Sequence, residues 1–92
     1  MATVIVPAPL RRLTGGEKRV EVEASTISEM IERLEAAHPG VKDRLLDESG
    51  GIKRFINVFV DGEEIRALKG EATPIRDGSE ISIIPAMAGG SS

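Results

Sequence analysis

Two short segments near the N-terminus predict β-strands: the first is a run of apolar, mostly β-branched residues, and the second alternates charged and apolar residues with a period of two. The first segment, TVIVP, covers residues 3–7. The second segment, KRVEVEA, places Val20 and Val22 on one face and charged side chains on the other. Between them, the Gly15-Gly16 pair tolerates the positive φ angles that a hairpin connection requires. We therefore predict that the first two strands pair as a hairpin.

The period changes in the segment STISEMIERLEAAHPG, where apolar residues recur at the spacing of an α-helix. They form a single stripe of four residues: Ile27, Met30, Ile31 and Leu34. Thr26 and Glu29 match the T-x-x-E pattern of a capping box, which predicts where the helix begins. Pro39 and Gly40 predict its end, and the following VKDRLL predicts one further helical turn.

The second half of the chain again has strand character. β-Branched and aromatic residues dominate RFINVFV, the strongest strand signal of the sequence. Asp61-Gly62 predicts a tight turn into a short return strand. Asp77-Gly78 predicts a second turn before the final strand, EISIIPAM, where we expect Pro85 to end regular pairing.

The order of these elements is two strands, a capped helix and then two or three further strands, which predicts an α+β domain. We predict a β-grasp fold, in which a mixed four- to five-stranded sheet carries one helix across one face. The domain is expected to occupy residues 1–87, and residues 88–92 are expected to form a flexible tail.

Because the helix covers only one face of the predicted sheet, the other face is open to a partner. In the final strand, Ile84 points opposite to Ile81 and Ile83. In RFINVFV, Phe59 likewise points opposite to the β-branched residues of that strand. We predict that Phe59 and Ile84 lie on the uncovered face and form a docking surface. The alternative is a register shifted by one residue, which would bury both phenylalanines in the core.

Composition narrows the range of functions. The chain has 92 residues, enough for one domain, and its net charge of −3 argues against nucleic-acid binding, which needs a basic face. With no cysteine and one histidine, neither a disulfide framework nor a zinc site made only of protein ligands is expected. The sequence shows no signal-peptide pattern and no apolar run of the roughly 20 residues that span a bilayer. We expect a cytoplasmic protein that binds neither nucleic acid nor membrane, is a monomer when free, and holds no metal or cofactor.

The C-terminal segment AGGSS carries the candidate chemistry. Ala88, Gly89 and Gly90 have little or no side chain, so this segment can enter a narrow channel in another protein. A terminal carboxylate on Gly90 can be adenylated, and a sulfur donor can convert the mixed anhydride into a thiocarboxylate. Such a protein carries sulfur without using cysteine, in keeping with the composition. Gly89 and Gly90 are therefore the candidate adenylation and thiocarboxylate site.

Three segments, LTGGEKRVEV, RFINVFVDGEEIR and PIRDGSEISIIPAMAGG, resemble the β-grasp sulfur carriers of the MoaD/ThiS family, which are relatives of ubiquitin. The resemblance covers nearly the whole chain. Its most specific feature is the ending, a strand followed by proline and then AGG. Within the family, the stretch LEAAHPGVKDRLLDESGGIKRFINVFV is similar to the carriers of a cysteine-biosynthesis route.

The resemblance implies a set of partners for a carrier that has no catalytic residues of its own. An E1-like adenylating enzyme would use ATP to activate Gly90, and a sulfur-accepting synthase, such as a pyridoxal-phosphate cysteine synthase, would receive the sulfur. A zinc-dependent JAMM-type metalloprotease would release the cysteine product. By analogy with the sheet patch of ubiquitin, the partner-docking residues are Phe59, Ile84, Pro85, Met87 and Ala88.

Ser91 and Ser92 depart from the family pattern, because they lock the carboxyl group of Gly90 in a peptide bond. Three interpretations remain open. The chain is a precursor that a metalloprotease cuts between Gly90 and Ser91, or the two serines are linker sequence, or the family chemistry has been lost.

Three functions also remain open. The first is a sulfur carrier that serves the biosynthesis of cysteine, molybdopterin, thiamine or a specialised product such as a thiosugar. The second is a ubiquitin-like modifier joined through Gly90 to lysines of other proteins. The third is an interaction module with an inert tail.

Overall fold

The structure is a computed structural model that describes residues 1–85. Five strands form one sheet: β1 Ala2–Ile5, β2 Arg19–Val22, β3 Ile56–Val60, β4 Glu63–Glu64 and β5 Glu80–Pro85. Two α-helices lie between β2 and β3: α1 Ile27–Ala37 and α2 Val41–Leu45. Three 3₁₀ segments lie in the connections: Ala8–Thr14, Ile65–Ala67 and Gly70–Ala72. The element order confirms the predicted α+β class.

The strand order in the sheet is β2-β1-β5-β3-β4. The central pair, β1 and β5, is parallel, and every other neighbouring pair is antiparallel. Helix α1 crosses one face of this mixed sheet and buries its apolar stripe there. This arrangement is the predicted β-grasp fold.

The connection between β1 and β2 differs from the prediction. The two strands pair antiparallel as expected, but a 3₁₀ helix, Ala8–Thr14, lies between them in place of a simple loop. Pro9 favours the start of such a helix because its φ angle is already fixed, and Leu10 anchors the helix in the core with 8% exposure. Gly15 ends the helix at a φ of 68°. β1 also ends at Ile5, earlier than the predicted Pro7.

Helix α1 begins at the predicted capping box, but the Glu29 side chain bonds a different backbone N–H from the one that the motif predicts. The backbone N–H of Glu29 donates to the Thr26 hydroxyl at 3.2 Å, as the box requires. The Glu29 carboxylate accepts from the backbone N–H of Ser25 at 2.7 Å, one residue before the position expected. The predicted stripe is buried, and its four residues are at most 2% exposed: Ile27, Met30, Ile31 and Leu34.

The turn between β3 and β4 confirms the Asp-Gly signal, because Asp61 and Gly62 both have positive φ, 50° and 90°. The return strand is only two residues long. It stops because the chain turns into the 3₁₀ segment Ile65–Ala67, which places Ile65 in the core with 3% exposure. The second predicted turn is also present, with Gly78 at a φ of 86°.

The core lies between the sheet and α1, and it settles the register of β3. Ile56, Val58 and Val60 face the helix and are at most 7% exposed. Phe55 is 52% exposed, so the shifted register that would bury both phenylalanines is wrong.

Neither helix described in residues 1–85 has the length and apolar character that a membrane span requires.

Candidate functional site

The face of the sheet opposite α1 carries an apolar surface, which we call the outer patch, made of Ile5, Phe59 and Ile84. Ile84 is 50% exposed, although Ile83, the residue before it, belongs to the buried core. Phe59 and Ile5 are half-buried. Phe59 and Ile84 therefore lie on the predicted face, and their role in docking stays a prediction.

Strand register fixes how the outer patch is laid out. On β3 and β5, Phe59 lies opposite Ser82 and Asn57 lies opposite Ile84. Phe59 and Ile84 are thus diagonal neighbours, a separation of about 7–8 Å that an aromatic side chain can bridge. Ile5 extends the patch to β1, where it is paired with Ser82. Ile5 was not predicted as part of this surface, although its position between Val4 and Val6 in the first strand places it on the opposite face from both.

Arg66 holds the β3 side of this surface in place. Its guanidinium donates to the Asn57 side-chain oxygen at 2.9 Å and to the Glu64 carboxylate at 3.0 Å. It also donates to the backbone carbonyls of Ile56 at 2.8 Å and Lys53 at 3.0 Å. Charged donors make the stronger hydrogen bonds of proteins, so one side chain fixes both the start of β3 and the amide beside Ile84. The sequence gives no local signal for these contacts, because only the fold brings the partners together.

Ionisable groups with shifted pKa values lie away from the outer patch. In the loop before β3, the pKa of Asp47 is held below its ordinary value of 3.8, mainly because the Ser49 hydroxyl donates to its carboxylate at 2.6 Å. Backbone N–H groups of that loop add to the effect, including Gly51 at 3.2 Å. Within the described part of the chain, no group of three or more histidine or acidic side chains could hold a metal ion.

Residues 4–90 of the chain match the ThiS family. The chain belongs to the ThiS family. That match ends at Gly90 and leaves out Ser91 and Ser92.

Individual relatives agree with the ThiS family assignment. The sulfur carrier protein CysO of Mycobacterium tuberculosis is 43% identical over 90 residues, which are 96% of this chain and 97% of CysO. The crystal structure of the Amycolatopsis orientalis BexX/CysO complex contains a chain with a TM-score of 0.91 and 41% identity, covering 95% of this chain and 97% of that one. Small archaeal modifier protein 3 of Haloferax volcanii is 39% identical over 72 residues, 78% of this chain and 76% of that protein.

The structure describes this region only as far as the end of β5, the strand that precedes the Gly89-Gly90 pair. Pro85 is the final residue of β5, lies opposite Ile56 and is half-buried. The other predicted site residues, Met87, Ala88, Gly89, Gly90 and Ser91, lie outside the described residues. The same holds for the predicted tail, residues 88–92, so its flexibility and its chemistry stay predictions.

Proposed function

We propose that this protein is a sulfur carrier for biosynthesis and that cysteine is the product it serves. The observation that carries the proposal is the near full-length similarity to CysO, at 43% identity, together with a family match that runs to Gly90. The absence of cysteine from the sequence supports it, because the sulfur would be held by the main-chain carboxyl group. Molybdopterin, thiamine and thiosugar pathways are the alternative recipients.

The proposed chemistry takes place on Gly90 in the active site of an E1-like adenylating enzyme. The Gly90 carboxylate attacks the α-phosphate of ATP, which forms an acyl adenylate and releases pyrophosphate. Sulfide then attacks the carbonyl carbon, the bond to AMP breaks, AMP leaves, and a thiocarboxylate remains. The carrier supplies the reacting carboxylate, while ATP and the catalytic residues belong to the enzyme. No cofactor bound to the carrier is required.

Activation requires a free carboxylate on Gly90, so we propose that Ser91 and Ser92 are removed first. Water adds to the Gly90–Ser91 peptide bond, which leaves a free carboxylate on Gly90 and releases the segment that begins with Ser91. A JAMM-type metalloprotease fits this step, because an enzyme that cleaves after Gly90 to release cysteine can also cleave before serine. The end of the family match at Gly90 supports this order of events.

The outer patch is the proposed docking surface for the enzymes that act on Gly90. Ile84 is 50% exposed and precedes the last residue of β5, so it lies at the point where the segment toward Gly90 begins. A sulfur-accepting synthase is a further proposed partner. The matched Amycolatopsis chain occurs in a complex with BexX, which supports a carrier that works bound to a second protein. We place this activity in the cytoplasm, where ATP is available.

A second candidate function is covalent modification of other proteins. The similarity to small archaeal modifier protein 3, 39% identity over 72 residues, favours it. In that case the activated Gly90 carboxyl would form an amide with a lysine of a target, without sulfur transfer to a metabolite.

Intact-mass spectrometry tests the proposal. The chain as written and a form ending at Gly90 are each incubated with the adenylating enzyme, ATP and a sulfide source. We expect a mass gain equal to replacement of one oxygen by sulfur in the shortened form alone. No gain in either form contradicts the carrier function, whereas Gly-Gly remnants on lysines of cellular proteins support the modifier.

A further inference from the structure

A small groove lies where β5 ends, and we call it the tail-root groove. Its floor is apolar and is formed by Leu10, Ile56 and Ile83, which are at most 8% exposed. Pro85 lines one side, so the groove adjoins the segment that leads to Gly90. The groove is separate from the outer patch, since Ile56 and Ile83 point to the core side of the sheet and Ile84 points away from it.

Two cations border the groove, Arg44 from α2 and Lys53 from the segment before β3. The Lys53 ammonium group lies 5.9 Å from the centre of the Phe55 ring, which is another wall of the groove. Within residues 1–85, neither Arg44 nor Lys53 makes an ion pair with a carboxylate. A protein of net charge −3 therefore presents, at the end of β5, two positive charges that have no ion-pair partner in residues 1–85.

The groove is held in shape before any partner binds. Arg66 donates to the carbonyl of Lys53 at 3.0 Å, and the Lys53 backbone N–H donates to the carbonyl of Leu45 on α2 at 2.9 Å. The Arg66 bond anchors the segment that contains Lys53. The bond to Leu45 joins that segment to α2, which carries Arg44. A wall that is already ordered lowers the entropy cost of binding, so the groove is suited to recognition.

The position of the groove limits what can occupy it. Gly90 is five residues after Pro85, so even a fully extended chain carries its carboxyl group at most about 17 Å from Pro85. An enzyme that acts on Gly90 must therefore bring its active site within that distance of Pro85, which is one wall of this groove. The groove volume is 170 Å³, which is below the roughly 300 Å³ where small-molecule sites begin and suits a single side chain.

We propose that the tail-root groove is a second docking point for the adenylating enzyme, in addition to the outer patch. It receives one apolar side chain from the mouth of the enzyme channel, and a carboxylate beside that side chain pairs with Arg44 and Lys53. The inference rests on the proposed function, because it assumes that Gly90 is activated. If Arg44 and Lys53 pair with a carboxylate of the enzyme, the mouth of the enzyme's channel carries negative charge.

Charge reversal in the form ending at Gly90 tests this inference. Arg44→Glu and Lys53→Glu place like charges against the acidic mouth, so we expect the carrier concentration for half-maximal ATP–pyrophosphate exchange to rise by about tenfold or more. The maximal rate at saturating carrier is expected to stay the same, because the proposed contact changes the affinity for the enzyme and not the reacting carboxyl group. Added salt should weaken the wild type more than the variants. The milder Arg44→Gln and Lys53→Gln should give a smaller rise.

Lys69→Glu is the matched control. It makes the same change in net charge, but Lys69 lines a different cavity, together with Val60 and Asp61 at the other end of β3. If Lys69→Glu weakens activation as much as the two groove variants, or if those variants behave like the wild type, the inference is overturned. A concentration-dependent dimer that Lys53→Glu abolishes also overturns it, because the occupant is then a second copy of the chain.

The same experiment separates this inference from the proposed function. If the unaltered form ending at Gly90 is not activated, both are wrong. If it is activated and the charge-reversed forms match it at low salt, the carrier function stands and only the groove is wrong. Thermal unfolding of each variant checks that the domain remains folded.

Discussion

On β5, Ile83 and Ile84 are adjacent and chemically identical, yet Ile83 is 4% exposed and Ile84 is 50% exposed. Ile83 faces α1 and contributes to the core, whereas Ile84 faces away from α1 and lies opposite Asn57. Full burial of such a side chain stabilises a fold by about 1.5–3 kcal/mol, a gain that Ile84 largely forgoes. The comparison separates residues that hold the domain together from residues available to a partner. Each of the following predictions tests that separation.

The largest expected effect is the loss of stability when the inner face is truncated. Ile81 is 0% exposed, and Ile81→Ala should lower the free energy of unfolding by about 2–5 kcal/mol, since it removes buried contacts and leaves a cavity. Ile84→Ala, on the outer face of the same strand, should lower it by only about 1 kcal/mol, because the side chain is half exposed. Urea unfolding of both variants measures the difference. Similar losses for the two would contradict the division between the faces.

The second effect concerns binding. Ile84→Asp should raise the carrier concentration for half-maximal activation about tenfold or more, because it places a charge in the apolar contact. The domain should remain folded, with the circular dichroism spectrum of the wild type. Leu68→Asp is the control, since Leu68 is a similarly exposed apolar residue at 42% and lies in the cavity that contains Lys69. Equal loss of activation in both variants would show that the outer patch has no special role.

The third effect is a change in stability without a change in activation. Thr26→Ala removes the hydroxyl that caps α1, and it should lower the free energy of unfolding by about 1 kcal/mol. Activation should not change, because the N-terminus of α1 lies on the opposite side of the sheet from the outer patch. Paired urea unfolding and ATP–pyrophosphate exchange measurements check both halves. A loss of activation at a temperature where the variant is folded would contradict the prediction.

The smallest effect is a dependence on pH. The pKa of Asp47 is lowered from 3.8 in the folded state, so its ionised form adds stability that is present above pH 3.8. This contribution is lost as the pH falls through the lowered pKa of the folded state. Asp47→Asn should therefore make the unfolding midpoint less sensitive to pH in that acid range. Identical pH profiles for the two proteins would show that the Ser49 and backbone contacts contribute nothing.

The sequence predicted those parts of the fold whose signals are local. The apolar stripe of α1, the Thr26–Glu29 cap and the Asp61-Gly62 turn each depend on residues that are close together in the sequence. The alternation in β3 and β5 also predicted which isoleucine is exposed, although a register shifted by one residue stayed open until the 52% exposure of Phe55 excluded it. Even the outer position of Phe59 followed from this reasoning.

The features that the sequence did not predict depend on contacts between distant segments or on weaker signals. Arg66 donates to five acceptors on the β3 side of the sheet, and nothing in its immediate sequence predicts these contacts. The tail-root groove combines residues of the first 3₁₀ helix, α2 and β5, which only the folded chain brings together. For the 3₁₀ helix itself, Pro9 and the spacing of Leu10 and Leu13 were available but brief signals.

The most direct test of the carrier function is to locate the sulfur. The form of the chain that ends at Gly90 is treated with the adenylating enzyme, ATP and sulfide, and the intact product is fragmented in the mass spectrometer. We predict that sulfur replaces one oxygen of the Gly90 carboxyl group and that fragments lacking Gly90 keep their original mass. Sulfur at any other residue, or no sulfur in a chain that is efficiently adenylated, would contradict the account.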